Sequence, residues 1–252
     1  MAALSLPART TAFGSLLRRI GACAALAVML AACGDSEQRE IKEIKDQVQR
    51  ATGQHDFPHV LELSKKGLAL TEKTAGEKSP DALYFAQGIS EAYRSMRNAR
   101  AAIPALRREI SMRAAAGQKE KKLQPRRTLL IQLSEENGDP MTAAEQAIAV
   151  SRGIEMGPGK DPQPVYQVQT EYPIAAFQQK TEGDVDIGFS IDASGRVTEA
   201  HVLKSTPTQA FEQPALESFR KWRFTPMLDA RGQPVSASNL QFTMAFRLGG
   251  QR

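Results

Sequence analysis

Two glycines and three prolines fall within the eight residues from Gly157 to Pro164 of this 252-residue chain. A helix or a central strand cannot continue through such a segment, because proline lacks a backbone N–H and fixes its own φ. The hydrophobic pattern also changes there, from helical spacing before the segment to alternation after it. The sequence therefore predicts an α+β chain, with an all-α domain of helical hairpins at 33–156, a linker at 157–164 and a mixed domain at 165–252.

The first 32 residues have the features of a bacterial secretory signal peptide. An uncharged, mostly apolar run from Ile20 to Ala32 follows three arginines and is shorter than the roughly 20 residues that a membrane span needs. It ends in Leu30-Ala31-Ala32-Cys33-Gly34, which resembles the lipobox of bacterial lipoproteins. The resemblance implies cleavage before Cys33, acylation of its thiol and a lipid anchor in the periplasm, with Gly34 favouring the outer membrane. An ordinary signal followed by an unmodified cysteine is the alternative.

Charge and cysteine content exclude two other classes of protein. The chain has a pI near 9.3 and a net charge of +5, but three of its 33 basic residues lie in the signal, which leaves 30 basic against 28 acidic residues. No basic stripe remains that could bind a phosphate backbone, so no nucleic-acid partner is expected. Cys23 would leave with the signal and Cys33 would be acylated, so the mature fold is expected to rest on packing without disulfides.

The segment before the linker repeats a pattern of paired helices. Three apolar positions recur at a shift of 42 residues, where Val60, Leu61 and Leu68 align with Ala102, Ile103 and Ile110. The run from Lys66 to Gly76, with Ser79-Pro80-Asp81-Ala82 after it, resembles the longer tetratricopeptide repeat of kinesin light chains. One helical pair cannot bury its apolar stripe alone, so stacked hairpins are predicted, with a plain helical bundle as the alternative.

One short motif predicts where a helix ends and the next begins. In Asn137-Gly138-Asp139-Pro140, the glycine suits the position just past a helix end. Asp139 suits the N-cap of the following helix, and Pro140 suits its first turn. Leucines precede the motif and alanines at helical spacing follow it, so a helical pair is predicted around it.

The segment after the linker predicts a small sheet covered by helices. Odd-numbered apolar residues from Val185 to Ile191 alternate with polar or small ones, and Asp192 to Gly195 suits a hairpin turn. The return strand should contain a bulge, because Val197 and Val202 lie on opposite parities. A helix carrying Phe211, Ala215, Leu216, Phe219 and Trp222 should cover the sheet, and a short helix is predicted from Tyr172 to Gln179. A last strand alternates at Leu240, Phe242, Met244, Phe246 and Leu248.

The order and spacing of several short motifs in this segment resemble the C-terminal domain of TonB. The motifs are Tyr172-Pro173, Gly183-Asp184-Val185, Gly195-Arg196-Val197, the run Lys221-Trp222-Arg223-Phe224-Thr225-Pro226, and Gly232-Gln233-Pro234-Val235. The resemblance covers about residues 165–248 and implies a three-stranded antiparallel sheet with two helices. It assigns Trp222 and Phe224 to the core. Arg223, between two aromatic residues, is expected to pair with an acid that the sequence does not identify.

The same resemblance implies where a partner would bind. In the TonB family, a short transporter peptide called the TonB box adds to the sheet beside its last strand. The implied contact residues on that strand are Ala237, Asn239, Gln241, Thr243, Ala245 and Arg247. Those in the segment before the first helix are Gln167, Gln169, Tyr172 and Pro173. The implied partner is an outer-membrane TonB-dependent transporter or another envelope protein. The alternative is a scaffold lipoprotein whose last strand only completes the sheet or pairs with its own copy in a homodimer.

No residues form a convincing catalytic or metal site, so the chain is predicted to be a non-enzyme without a cofactor. His55 and His59 are four residues apart, but Pro58 lies between them and no third ligand is evident. His201 stands alone on a predicted strand, and Asp184 and Asp186 are expected to solvate an exposed strand face. The transmembrane helix and long proline-rich spacer of a TonB protein are not evident in the sequence, so a direct link to the proton gradient is not predicted.

Overall fold

The computed structural model describes residues 36–153, 161–207 and 209–248, in two compact units that divide between Ala92 and Tyr93. The predicted signal peptide, Cys33 and the first half of the predicted linker, residues 157–160, lie outside the described residues. Within the described ranges, no helix combines the length and the hydropathy that crossing a membrane requires.

The first unit is helical. Helix α1 covers residues 36–53, α2 covers Phe57–Thr74, and α3 covers Pro80–Ser95 and so runs past the division. Helices α2 and α3 cross closely, since a Cβ added at Gly67 would lie 2.4 Å from the ring of Phe85. Lys45 of α1 forms a 2.7 Å ion pair with Asp81 of α3. The predicted apolar stripe of α1 is buried, at Ile41, Ile44, Val48 and Ala51.

The second unit begins with three more helices: α4 at Ala99–Ala115, α5 at Glu120–Glu136 and α6 at Pro140–Gly153. Helices α2 and α4 begin 42 residues apart, which is the shift predicted from their apolar residues. Each is capped in the same way, because Asp56 and Asn98 both accept a 3.2 Å hydrogen bond from the backbone N–H three residues on. The repetition of helix starts and caps supports a repeated helical unit.

The predicted helix junction at residues 137–140 is confirmed. Helix α5 ends at Glu136, Gly138 has a φ of 71°, and α6 begins at Pro140. The Asp139 carboxylate accepts a 3.1 Å hydrogen bond from the backbone N–H of Thr142, as an N-cap does. Hydrogen bonds from the side chain and backbone of Thr142 hold the pKa of Asp139 below its ordinary value.

The second unit continues with the predicted α+β fold. Its main sheet has three antiparallel strands in the order β3–β2–β7, with β2 at Gly183–Ile191, β3 at Val197–Thr206 and β7 at Ala237–Phe246. Helix α7 at Ile174–Gln178 and helix α8 at Glu212–Phe219 supply the two predicted helices. The alternating residues of β2 meet Phe211, Phe219, Trp222 and Phe224 in one buried cluster. The predicted fold and the core positions of Trp222 and Phe224 are confirmed.

Irregular pairing sets the side-chain directions along two of these strands. Strand β3 shifts register against β2 twice, once between the partners of Asp186 and Ile187 and once between those of Ser190 and Ile191. This confirms the predicted bulge and adds a second. Strand β7 shifts register once, near Asn239, whose φ is 58°.

Two small ribbons complete the unit, and the sequence patterns did not predict them. Strand β1 at Pro164–Tyr166 pairs with β4 at Arg223–Phe224, and β5 at Met227–Leu228 pairs with β6 at Pro234–Val235. Val165 of β1 packs in a buried cluster with Ile131 of α5 and residues of α6. Ser151 of α6 donates a 2.6 Å hydrogen bond from Oγ to the carbonyl of Pro226. Helices α5 and α6 therefore contact the strands that surround the motif run at 221–226.

Candidate partner-binding site

Strand β7 lies at one edge of the three-stranded sheet. Its backbone pairs with β2 from Ala237 to Phe246, and among the described residues no other segment forms backbone hydrogen bonds with it. From Leu240 to Phe246 the strand is regular, because the bulge near Asn239 comes before this stretch. A strand edge of this kind presents a row of N–H and C=O groups that an extended peptide can pair with.

The opposite edge, strand β3, is less suited to an incoming strand. Its two register shifts interrupt the regular row of backbone groups within ten residues. Nη2 of Arg220 also lies 3.4 Å from the carbonyl oxygen of Ala200 and donates to it. Bulges and charged side chains are common means of preventing unwanted pairing at a sheet edge. The two edges of this sheet therefore differ, and β7 is the one with a long regular stretch.

A groove of about 680 Å³ runs beside the C-terminal half of β7. One wall is the stretch from Gln169 to Tyr172, and the other is the stretch from Met244 to Arg247. The first wall is held in place by side chains: Nε1 of Trp222 donates to the carbonyl of Val168 at 3.1 Å, and the hydroxyl of Thr170 donates to Sδ of Met244 at 3.5 Å. The groove is therefore a formed feature with walls from two chain segments.

Tyr172 anchors the end of this wall. Its ring makes edge contacts with Phe177, Phe211 and Phe246 at centroid distances of 5.6–6.2 Å. Its hydroxyl donates a 2.6 Å hydrogen bond to the carbonyl of Thr181. Burial and the nearby Glu182 carboxylate raise the pKa of Tyr172, so the phenol stays neutral and remains a donor.

The structure brings four of the predicted contact residues together in this groove. They are Gln169, Tyr172, Ala245 and Arg247. Pro173 directly precedes α7 and is half-buried, and Gln167 is exposed outside the groove lining. Arg247 is fixed by a 2.7 Å ion pair with Asp184 and a 2.8 Å hydrogen bond to the carbonyl of Gly183.

The other predicted residues of β7 lie elsewhere. Asn239 and Gln241 line a separate hollow of about 180 Å³ that also contains His201. The hydroxyl of Thr243 donates to the Asp186 carboxylate at 2.7 Å, so this acid is paired across the strands instead of being only solvated. Ala237 does not point outward with the others: it packs against the core cluster, because the bulge near Asn239 reverses the side-chain parity of the residues before it.

Alternation alone missed part of the groove. Met244 and Phe246 line it, although their parity assigned them only to the core. Both residues can line the groove because β7 is an edge strand, where a side chain of the core also borders the open edge of the sheet. Helix α7, which begins two residues after Tyr172, carries two exposed apolar side chains. Ile174 is 76% exposed and Phe177 is 62% exposed. The position of a residue at a sheet edge cannot be read from its parity.

The histidines and acids do not converge on a metal site in the described ranges. No group of three or more His, Cys, Asp or Glu side chains lies close enough to hold an ion. Nδ1 of His59 lies 3.8 Å from the Asp56 carboxylate.

Comparisons with known proteins place the resemblance in the same part of the chain. The family described as Gram-negative bacterial TonB protein C-terminal matches residues 168–248. Protein TonB of Yersinia enterocolitica is 33% identical over 89 residues, which cover 35% of this chain and 32% of that protein. Protein TonB of Vibrio cholerae is 35% identical over 115 residues, which cover 44% of this chain and 46% of that protein. The chain therefore spans less than half the length of these relatives.

Among solved structures, the solution NMR structure of the Pseudomonas aeruginosa TonB CTD aligns with 39% of this chain and 99% of its own. Its sequence identity is 28% and its TM-score is 0.30. The matched range 168–248 contains α7, the three-stranded sheet, α8 and the motif run at 221–226. This part of the chain belongs to the TonB C-terminal domain family.

Proposed function

We propose that this chain is a non-enzymatic envelope lipoprotein that binds a partner protein by strand addition along β7. The partner would be an outer-membrane TonB-dependent transporter, bound through an extended segment near its N-terminus, and the binding would serve transport across the outer membrane. The observation that carries the proposal is the regular outer edge of β7 from Leu240 to Phe246, beside an open groove. The similarity to TonB proteins supports the choice of partner.

The geometry of the groove favours an extended peptide over a folded ligand. A strand beside β7 would form backbone hydrogen bonds along one side, each contributing about 0.5–1.5 kcal/mol net. Its alternate side chains would meet Gln169 and Tyr172 on the groove wall. Because backbone bonding is insensitive to sequence, the groove wall would supply the selectivity.

The proposal can be tested by titrating the unlipidated mature chain with peptides from the N-terminal segments of TonB-dependent transporters of the same bacterium. Strand addition predicts a marked alternation: N-methylating every second amide on one side of the peptide abolishes binding, whereas N-methylating the other set leaves it nearly unchanged. Chemical-shift changes should centre on residues 240–247. Equal loss of binding with both methylated peptides, or no binding of any peptide, would contradict the proposal.

The alternative function is a scaffold in which β7 pairs with a second copy of this chain. An exposed strand edge invites self-pairing, so the same edge that favours a partner also permits a dimer. Sedimentation of the mature chain distinguishes the two functions. A dimer whose mass does not change when transporter peptides are added supports the scaffold, and a monomer that takes up one peptide supports the recruiting role.

Two further parts of the proposal concern the rest of the chain. The repeated helices would offer a second protein-binding surface, as tetratricopeptide-like hairpins do, and acylated Cys33 would hold the protein at the outer membrane. Replacing Cys33 with Ala is expected to move the protein from the membrane fraction to the soluble periplasmic fraction. Full retention of the variant in washed membranes would argue against the lipid anchor.

A further inference from the structure

Arg223 lies at the centre of a charged cluster at the end of the sheet where β2 turns into β3. Its side chain is 1% exposed. Its Nε donates to Oε1 of Glu135 in the last turn of α5, and its Nη1 donates to the carbonyl oxygen of Ser194 at 2.6 Å and to the hydroxyl at 3.1 Å. Arg196 lies 3.5 Å from the other carboxylate oxygen of Glu135. The Glu135 carboxylate is thus held between two guanidinium groups.

Glu135 is the acid that balances the buried charge of Arg223. A guanidinium removed from water requires a counter-charge, and an unpaired one strongly destabilises a fold. Asp192 lies in the same turn, but its carboxylate already accepts three hydrogen bonds from Ser194 and Arg196, at 2.6–3.0 Å. Burial opposes ionisation of Asp192, but these hydrogen bonds and the nearby charge of Arg223 outweigh it and lower the pKa of Asp192, so it stays ionised as part of the turn.

One donor of Arg223 is left over. Its Nη2 is buried and has no hydrogen-bond partner among the described residues. Nε and Nη2 lie on the same edge of the guanidinium, which binds a carboxylate through two parallel hydrogen bonds. Glu135 fills one of these positions, because its backbone is fixed in α5 and its second oxygen turns towards Arg196. This edge could therefore donate to both oxygens of a carboxylate, but Glu135 offers it only one oxygen.

We infer that Arg223 and Arg196 form a carboxylate-binding site on the TonB-like domain, with Arg223 held in place by Ser194, and that Glu135 of α5 occupies this site from within the same chain. The site lies at the turn between β2 and β3, whereas the groove beside β7 is near Gly183 at the other end of β2. Helix α5 of the same compact unit therefore fastens the sheet at one end and leaves the edge of β7 open. The inference does not depend on which partner the groove binds.

The site can be tested by removing its occupant and supplying a free carboxylate. In the unlipidated full-length mature chain, Glu135→Ala is expected to lower the midpoint of thermal unfolding by about 10 °C, because the buried Arg223 loses the carboxylate that is bonded to it. The matched control is Glu136→Ala, which removes the same charge from the exposed neighbouring position of α5 and should shift the midpoint by less than about 2 °C.

Free acetate at pH 7 is then compared with chloride at equal ionic strength. Acetate should raise the midpoint of Glu135→Ala by several degrees through mass action, and it should not do so for the wild type, for Glu136→Ala or for the double variant Glu135→Ala with Arg223→Met. If the Glu135→Ala variant does not fold in chloride, the inference predicts that it folds when acetate replaces chloride. An equal acetate response in all four proteins, or a Glu135→Ala protein as stable as its control, would overturn the inference.

Discussion

Nε1 of Trp222 donates a 3.1 Å hydrogen bond to the carbonyl oxygen of Val168 and so ties the motif run at 221–226 to the wall of the groove. The indole is 7% exposed and packs against Phe219 and Phe242. This bond explains why a tryptophan is useful here, where phenylalanine could fill much of the same core space. The residue that completes the core also positions the segment that would contact a partner.

Replacing Trp222 with Phe is expected to lower the free energy of unfolding by about 1–3 kcal/mol, through the lost hydrogen bond and the smaller side chain. Amide hydrogen exchange should become faster from Val168 to Thr170, because their carbonyl anchor is gone. Amides that pair β2 with β3 are distant from this bond, so their exchange should change only as far as the overall free energy of unfolding changes. Unchanged exchange at 168–170 would show that the indole does not hold the groove wall.

A second prediction concerns the crossing of α2 and α3. Replacing Gly67 with Ala would place a methyl group 2.4 Å from the ring of Phe85, which is fully buried and cannot move aside. We expect a loss of about 1–3 kcal/mol in the free energy of unfolding of the first unit, despite the better helix propensity of alanine.

The matched control for this crossing is Gly53→Ala in α1, where nothing lies within 4 Å of the added Cβ. Because only helix propensity changes there, this variant should be neutral or more stable by up to about 1 kcal/mol. Urea unfolding followed by circular dichroism measures both variants. Equal effects of the two substitutions would show that the helices do not approach each other as closely as described.

Local patterns predicted the elements of this fold well, because each pattern depends on neighbours in sequence. The alternation from Leu240 to Phe246 placed a strand, and the motif at 137–140 placed a helix junction to the residue. The parity conflict between Val197 and Val202 predicted a bulge, since a strand can face one core only if an extra residue reverses its register. The same alternation wrongly placed Ala237 on the outward face of β7. The bulge near Asn239 was missed because no large apolar residue of β7 before it lies on the opposite parity.

Contacts between distant segments could not be predicted in the same way. Glu135 is 88 residues from Arg223, and α5 contains two other acids, Glu120 and Glu136, that look equivalent in the sequence. Strand β1 at Pro164–Tyr166 is too short to show any period, and it overlaps the end of the predicted linker. The groove depends on how the segment at 169–172 runs past the sheet edge, which is a property of the packed fold and not of either segment alone.

A third prediction separates backbone strain from crowding at two glycines of the TonB-like domain. Gly195 and Gly232 both have positive φ, at 81° and 73°, where any side chain is strained. A Cβ at Gly195 would also lie 1.9 Å from the carbonyl oxygen of Phe224, whereas nothing lies within 4 Å at Gly232.

Gly232→Ala should therefore lower the free energy of unfolding by about 1–2 kcal/mol, from strain alone. Gly195→Ala should lower it by clearly more, about 3 kcal/mol or above, because the 2.8 Å hydrogen bond from the N–H of Phe224 to the carbonyl of Gly195 must also shift. Thermal or urea unfolding compares the two variants. Equal losses would mean that the turn and the motif run are not in contact.

The fourth prediction concerns pH and the N-cap of α6. Hydrogen bonds from Thr142 hold the pKa of Asp139 below the value of about 3.9 that it has in an unfolded chain. A group with a lowered folded pKa stabilises the fold fully at pH values above its unfolded pKa, and this contribution is lost as the pH falls through the folded pKa. Asparagine caps a helix about as well as aspartate but does not titrate in this range.

Replacing Asp139 with Asn is therefore expected to lower stability at pH 7 by no more than about 1 kcal/mol. The difference between wild type and variant should shrink as the pH falls below about 4, because only the wild-type cap becomes protonated. Unfolding midpoints measured from pH 2.5 to 7 test this prediction. Other acids, such as Asp192, titrate in both proteins, so their effect on stability cancels in the difference between wild type and variant. A difference that stays constant over the whole range would show that the charge of Asp139, as distinct from its hydrogen bond, contributes nothing to the cap.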